Sequence, residues 1–247
     1  LHSRLRSQKI YLENYKREIS QLLACAQLAL DSHSLLPNLI NPHGNHLVII
    51  IGSQKGLAGT FNYNLIQFFL SENITSQEKA QEIIVVGKQM IDQSLSKGIK
   101  PAKIYPIFNN INFVSIAKEI TSLICNTPAY AAVTVYTTIP LSFFSQQQRA
   151  INLLPLTFQK HCQDRINYTF EQSAQDITTY LTRLYIQATL EEALFESLLA
   201  EQAIRFLSMD AATQNADNLL NNMKLDYNKL RQALITRELT DLASSLS

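Results

Sequence analysis

At 247 residues, 46% hydrophobic and 17% charged, the chain is long enough for one sizeable core with extensions. A net charge of +1 supplies no overall field to draw it to nucleic acid or to a membrane surface, and no run of about 18 apolar residues is present to span a bilayer. Three cysteines (Cys25, Cys125 and Cys162) are odd in number, far apart and without a CxxC pair. That argues against a disulfide framework and a zinc site, and fits a reducing compartment. The opening residues lack a signal-peptide core, and the start at Leu1 rather than methionine is expected of a trimmed or partial sequence.

From Leu1 to about Leu30 there is neither glycine nor proline, and Leu5, Leu12, Ile19 and Ala26 recur seven apart. Tyr15, Leu22 and Ala29 follow three residues after the last three of these, which predicts a helix over 1–30 with a heptad seam. The outer positions hold Arg4, Arg6, Lys9, Lys16 and Arg17 against Glu13 and Glu18, a basic face whose simplest role is solvation. Asp31 to Asn45, with two prolines, a glycine and the histidines His33 and His43, reads as a polar linker. A metal site there would need more ligands than His46 can add.

From 46 to 156 the pattern changes to alternating strands and helices. Leu47-Val-Ile-Ile-Ile51 and Glu82-Ile-Ile-Val-Val86 are apolar runs of buried-strand length. Lys103 to Ile107 reads as an edge strand because of Pro106, Ala131 to Tyr136 as a fourth strand, and Arg149 to Leu154 as a possible fifth. Helices are expected over Asn62 to Ser71, Lys88 to Lys97 and Phe113 to Ile124, giving a mainly parallel α/β sheet with helices on its faces.

The first strand runs into Gly52-Ser-Gln-Lys-Gly-Leu-Ala-Gly-Thr60, a glycine-rich turn of the kind that can cradle phosphate. The spacing fits neither nucleotide fingerprint. Leu57 stands where a Walker A loop needs glycine, and Gly52, Gly56 and Gly59 are spaced four and three rather than as GxGxxG. No acidic residue at the end of the second strand is placed to hold a ribose, and no nucleophile, carboxylate pair or ligand cluster can be placed in one site. Catalytic, cofactor-binding and metal-binding residues are therefore expected to be absent.

After Gly98 there is no glycine and after Pro155 no proline, so nothing in residues 170–247 forces a helix to stop. As one helix this stretch would be roughly 115 Å long at ~1.5 Å per residue. Ile177, Leu181, Leu184 and Ala188 follow coiled-coil spacing, and so do Ala216, Leu220, Met223, Tyr227, Leu230 and Leu234. A rod is expected, with the N-terminal helix as its natural partner. Two or three helices joined by turns near Asp210 to Asp217 would also fit.

Several of these residues carry a family resemblance. Ser53-Gln-Lys-Gly-Leu-Ala-Gly-Thr-Phe-Asn62 resembles the S-[DE]-[RK]-G-L-[CA]-G-G-[FL]-N signature of the gamma subunits of F-type ATP synthases. Glu201-Gln-Ala-Ile-Arg205, with Met209, Ala211 to Thr213 and Asn215-Ala216, resembles the family's E-x-A-A-R-M run. Tyr227-Asn-Lys-Leu-Arg-Gln-Ala-Leu-Ile-Thr236 with Glu238-Leu239 resembles its Y-N-[KR]-x-R-Q-A-x-I-T-x-E segment, and Leu153 to Leu156 its strand before the last helix. The matches run through the chain in family order.

The resemblance implies an antiparallel coiled coil of N- and C-terminal helices (1–30 and 170–247) over a Rossmann-like α/β foot (46–156). It implies a non-catalytic rotor without cofactors, whose shaft turns in a head of alpha and beta subunits. The foot would bind an epsilon subunit and the membrane ring of c subunits. Location would be peripheral, on the cytoplasmic face of a bacterial inner membrane or the matrix face of a mitochondrial one. Arg231, Gln232, Thr236 and Glu238 match family positions that meet the head and its catch loops. Glu201 and Arg205 match positions lower on the shaft, although on spacing alone they are equally an intrahelical pair. From Ile235 the stripe shifts to Leu239, Leu242 and Leu246, as for a tip leaving its partner helix.

Departures from the family pattern are Gln54, Thr60, Asp210 and the tyrosine- and leucine-rich first helix, as expected of a divergent bacterial or organellar member. Nothing resembles the thiol switch of chloroplast gammas. The rival reading is a stand-alone α/β nucleotide-binding protein with a coiled-coil dimerisation arm.

Overall fold

The computed structural model describes residues 2–29, 44–73, 81–126, 130–156 and 174–245. In chain order the elements are α1 (His2–Ala29), β1 (Asn45–Ile51), α2 (Phe61–Asn73), β2 (Gln81–Val86) and α3 (Lys88–Ser96). They continue with β3 (Lys103–Tyr105), α4 (Phe113–Asn126), β4 (Tyr130–Pro140), β5 (Gln146–Leu154) and α5 (Ala174–Ser245). The chain divides into two compact units, Leu1–Ile204 and Arg205–Ser247.

In the first unit the strands form one sheet in the order β3-β2-β1-β4-β5. β1, β2, β3 and β4 are parallel, and β5 pairs antiparallel with β4. The sequence explains the arrangement. Leu47 to Ile51 have no exposed surface at all, as a continuous apolar run in the middle of a sheet requires. Right-handed crossovers carry the chain outward from β1 to β2 to β3, which puts α2 and α3 on one face. The next crossover returns past β1 to β4 in the opposite direction, so the same handedness puts α4 on the other face.

The alternation of side chains along β1 separates two cores accordingly. Val48 and Ile50 pack with Leu65, Ile66, Phe69, Met90 and Ile91 from α2 and α3. Leu47, Ile49 and Ile51 pack with α4 and with Ile186, Leu190, Leu194 and Phe195 of α5. Each such side chain, fully buried, contributes ~1.5–3 kcal/mol. β3 is shorter than the run expected over 103–107, because Pro106 cannot donate to the ladder and ends the pairing at Tyr105.

α1 lies antiparallel to the buried stretch of α5. Lys9 Nζ is 3.0 Å from Glu196 Oε1 and Lys16 Nζ is 2.6 Å from Glu192 Oε2, so rising numbers on one helix meet falling numbers on the other. These pairs are largely covered, and because charge pairs are directional their main effect is to set register. Seven-residue spacing holds for Leu12, Ile19 and Ala26, which are buried. The second line does not: Tyr15 and Leu22 are exposed, and half-buried Lys16 and fully buried Leu23 take the seam positions instead. The seam thus steps by four and then three from Leu12, and a lysine stem covers apolar surface while its ammonium reaches Glu192.

α5 is one helix of 72 residues, without a turn near Asp210 to Asp217. The pairing of α1 with α5 agrees with the antiparallel arrangement expected of the two terminal helices. Every residue from Met209 to Asp241 is exposed, including the seam residues Leu220, Met223, Tyr227, Leu230 and Leu234. The linker expected from Asp31 lies, as far as His43, outside the described residues, as do Cys162 and Leu246.

At the amino-terminal edge of the sheet, Tyr130 donates its hydroxyl hydrogen to Glu82 Oε2 at 3.0 Å. Burial, reinforced by the hydrogen bond and negative charge of Glu82, raises the Tyr130 pKa to about 12 from the ordinary 10.0. A group that keeps its proton longer in the folded than in the unfolded state stabilises fully below the unfolded pKa. That contribution fades as pH rises from about 10 towards 12. Replacement by Tyr130→Phe is expected to flatten the loss of stability across this alkaline window, as measured by urea unfolding at a series of pH values. An unchanged slope would show that Tyr130 is not the titrating group.

Candidate functional site

The glycine-rich turn after β1 is the most highly constructed loop of the first unit. Gly52 N–H donates to Val86 O at 3.0 Å, and Gln89 N–H donates to Ser53 O at 3.1 Å, which ties the turn to β2 and to the start of α3. Asn62 in the first turn of α2 closes a reciprocal pair with Ser53. Its Oδ1 accepts from Ser53 N–H at 2.9 Å, and its Nδ2 donates to Ser53 Oγ at 2.7 Å. Both residues are buried, so the pair satisfies polar groups that would otherwise cost ~1–3 kcal/mol each.

Two glycines are needed for this crossing. A Cβ on Gly52 would lie 2.5 Å from the Met90 side chain. A Cβ on Gly87, whose φ is +100°, would lie 2.6 Å from the carbonyl oxygens of both Gly52 and Ser53.

Beyond Ser53 the loop reaches α5. The carboxylate of Glu201 accepts from the backbone N–H of Lys55 at 3.2 Å and of Gln54 at 3.4 Å. Glu201 is 3% exposed, and Ala58 and Phe61 pack against Ala200 beside it. The anion held by these N–H groups is thus the protein's own carboxylate, at the place where a phosphate-binding loop would offer its donors. Leu57 follows at φ 62°, a left-handed conformation costly for a branched residue, and its side chain is 74% exposed.

The residues singled out from sequence fall into two groups. Glu201 sits inside the first unit on the glycine loop, and Arg205 is half-buried at the start of the second. Arg231, Gln232, Thr236 and Glu238 are all exposed on the last part of α5. At ~100° per residue, Arg231 and Glu238 align and border the bare apolar seam, whereas Gln232 and Thr236 lie on the far side of the helix. The four therefore spread over an arc of about 160°, roughly one half of the helix. Thr236 Oγ1 donates to Gln232 O at 2.9 Å, turning its hydroxyl back onto its own helix. No described helix is long and apolar enough to cross a membrane.

The loop's anchor in Glu201 could not be found from sequence, because the partners are 146 residues apart. The nearer signal, Ser53 and Asn62 at the two ends of the glycine turn, was present in the motif but mute about its hydrogen bonds.

α5 packs on the sheet from Ile186 to Ala203, and its residues from Met209 to Asp241 are exposed. A protein-family model described as ATP synthase matches residues 1–247. Among curated relatives, the ATP synthase gamma chain of Chlorobium phaeobacteroides (strain DSM 266) is 30% identical, covering 97% of this chain and 86% of its own. That of Chlorobium limicola is 29% identical over 98% and 86%. The fold is also that of solved central stalks. One is in the Euglena gracilis mitochondrial ATP synthase (OSCP/F1/c-ring), with a TM-score of 0.62, 16% identity and coverage of 100% of this chain and 94% of that one. Another is in the Tetrahymena thermophila mitochondrial ATP synthase (central stalk and c-ring), with a TM-score of 0.55, 18% identity and coverage of 85% and 99%. The chain belongs to the ATP synthase gamma-chain family.

Gly87→Ala should destabilise the chain by about 2 kcal/mol or more, since the new methyl group meets two carbonyl oxygens at a left-handed φ. Gly56→Ala serves as the control, because a Cβ there meets nothing within 4 Å. Chemical denaturation of the two variants compares them directly, and equal stability would contradict the crossing described.

Proposed function

We propose that this chain is the rotor of an F-type ATP synthase. In this reading it couples ion flow through a ring of c subunits to ATP synthesis and hydrolysis in a head of alpha and beta subunits, and it performs no chemistry itself. The observation that carries the proposal is the bare half of α5. Leu219, Leu220, Met223, Leu225, Tyr227, Leu230, Leu234 and Leu239 are each more than half exposed on a single continuous helix. Apolar surface on that scale marks a region that is covered in an assembly.

The proposal places α5 in the head. Arg231, Gln232, Thr236 and Glu238 are the residues offered to alpha and beta subunits, with Arg205 lower on the shaft. The α/β foot takes the epsilon subunit and the ring, so association with the membrane is peripheral and through the complex. The division into a first helix (1–30), a foot (46–156) and a shaft (170–247) follows the same logic. A shaft that turns must be stiff along its length, which a helix free of glycine and proline supplies. Its outer contacts must be weak enough to exchange, and exposed polar pairs of ~0–1 kcal/mol meet that need.

The alternative of a stand-alone nucleotide-binding protein is disfavoured by the glycine loop, whose N–H groups at Gln54 and Lys55 already hold Glu201. Co-purification decides between them: the tagged chain should bring down alpha, beta and epsilon subunits, and isolated chain titrated with ATP or GTP should give no heat of binding. Capture of no head subunit, together with micromolar nucleotide binding, would favour the alternative. Replacing Arg231 and Gln232 by Ala should lower ATP turnover of the reconstituted complex while leaving the helical signal of the isolated chain intact. Unchanged turnover would remove both residues from the coupling surface.

A further inference from the structure

We propose that Glu201 is the positioning residue that makes the glycine loop, and through it the sheet, turn as one body with α5. This inference rests on the rotor reading above. It assigns Glu201 an internal role instead of a contact with the head.

The argument starts from what the junction must resist. Ile186, Leu190, Leu194, Phe195 and Leu198 hold α5 to the sheet and α4 through apolar contact. Such contact opposes separation but is non-directional, so it resists rolling or sliding of a helix only as far as side chains interlock. Directional bonds oppose twist more effectively. Ser197 Oγ donates to Ile51 O at 3.3 Å, and Thr137 Oγ1 donates to Ala193 O at 3.4 Å. Both are neutral single bonds near the middle of the buried stretch.

Glu201 differs in strength and in place. Its two oxygens each accept one N–H from adjacent residues of the loop, and charge-assisted bonds are roughly twice as strong as neutral ones. The side chain also lies at the exit of the helix from its packing: Ala200 and Glu201 are buried, Ile204 is half-buried, and from Met209 onward every residue through Asp241 is exposed. Glu201 is thus the hydrogen-bonded carboxylate next to the end of the packed stretch, one turn before Ile204.

The loop on the receiving side is held at its base, next to Gln54 and Lys55. Backbone bonds hold Gly52 to Val86 and Ser53 to Gln89, and Asn62 grips Ser53. Load on Glu201 therefore passes to β2, α3 and α2 through the backbone. The carboxylate is chemically required. A glutamine of the same size offers one acceptor and would aim its NH2 donors at the second N–H.

The test uses Glu201→Gln as the near-isosteric variant and Glu201→Ala as the full deletion, read in two ways. In the isolated full chain, amide hydrogen exchange at Gln54 and Lys55 should speed up by about tenfold or more in both variants. In the reconstituted complex in sealed vesicles, ATP hydrolysis should persist while ion pumping per ATP hydrolysed falls, and Glu201→Asp should recover part of it. Unchanged exchange at Gln54 and Lys55 overturns the clamp. Faster exchange with an unchanged pumping ratio overturns its role in coupling. A wild-type chain that fails to assemble with the head would sink the rotor reading instead, and the exchange measurement on the free chain would still decide whether Glu201 holds the loop.

Discussion

Everything in this structure depends on one helix being anchored along part of its length only. A helix of 72 residues in water has no reason to persist from propensity alone, because isolated helices are marginal and fray from their ends. The anchored part of α5 solves the nucleation problem. From Ile186 to Ala203 none of its residues is exposed, and the glutamates Glu192, Glu196 and Glu201 within it are held by Lys16, Lys9 and the glycine loop. Once that stretch is helical, each further residue adds a hydrogen bond without a new nucleus, and the absence of glycine and proline lets propagation run to Ser245.

The bare half is stabilised locally. Gln214 bonds Asp210, Lys229 bonds Asp226, and Thr213, Thr236 and Thr240 turn their hydroxyls back to carbonyls four residues earlier. None of these is strong, and stability along α5 is accordingly graded from the packed end to the free one.

The foot shows how an α/β sheet can keep the architecture of a nucleotide-binding fold while its glycine turn does something else. The turn sits where such folds bind ligands, at the carboxyl end of the first strand. Here its donors face inward to a carboxylate on α5, its first glycine makes room for Met90, and Gly87 lets β2 cross it. A feature that reads as a ligand cradle in sequence is a joint in the fold.

Legibility from sequence followed the range of the interaction. β1, β2 and β4 were plain because their apolar runs match burial on both faces, and Pro106 correctly marked β3 as an edge. The long C-terminal helix was plain for a negative reason, the lack of any breaker. What failed was the facing of the first helix. Heptad counting favoured Tyr15 and Leu22 as more apolar than Lys16, whereas the packed helix buries Leu23 and extends the Lys16 stem to Glu192. Periodicity counts residue type, but the seam is chosen by what lies opposite, and Glu192 is far away in sequence. Of the residues marked on α5, Arg231, Gln232, Thr236 and Glu238 are exposed, over an arc of about 160° set by the period of 3.6. Glu201 was marked as a lower shaft position, and its bonds to the glycine loop were not legible because the partners are 146 residues apart.

That contrast between Glu201 and Arg231 also separates two mechanical requirements that one helix must meet. Where α5 is fixed to its own body, contact should be dense, dry and directional, because any slip there wastes displacement. Buried apolar packing reinforced by a charge-assisted clamp has that character. Where α5 would move against other subunits, contact should be shallow and interchangeable, since a deep buried pair would cost several kcal/mol to break at each step. Arg231 and Glu238 beside an apolar seam, with Gln232 and Thr236 spread round to the far side, offer exposed polar side chains over about half of the helix.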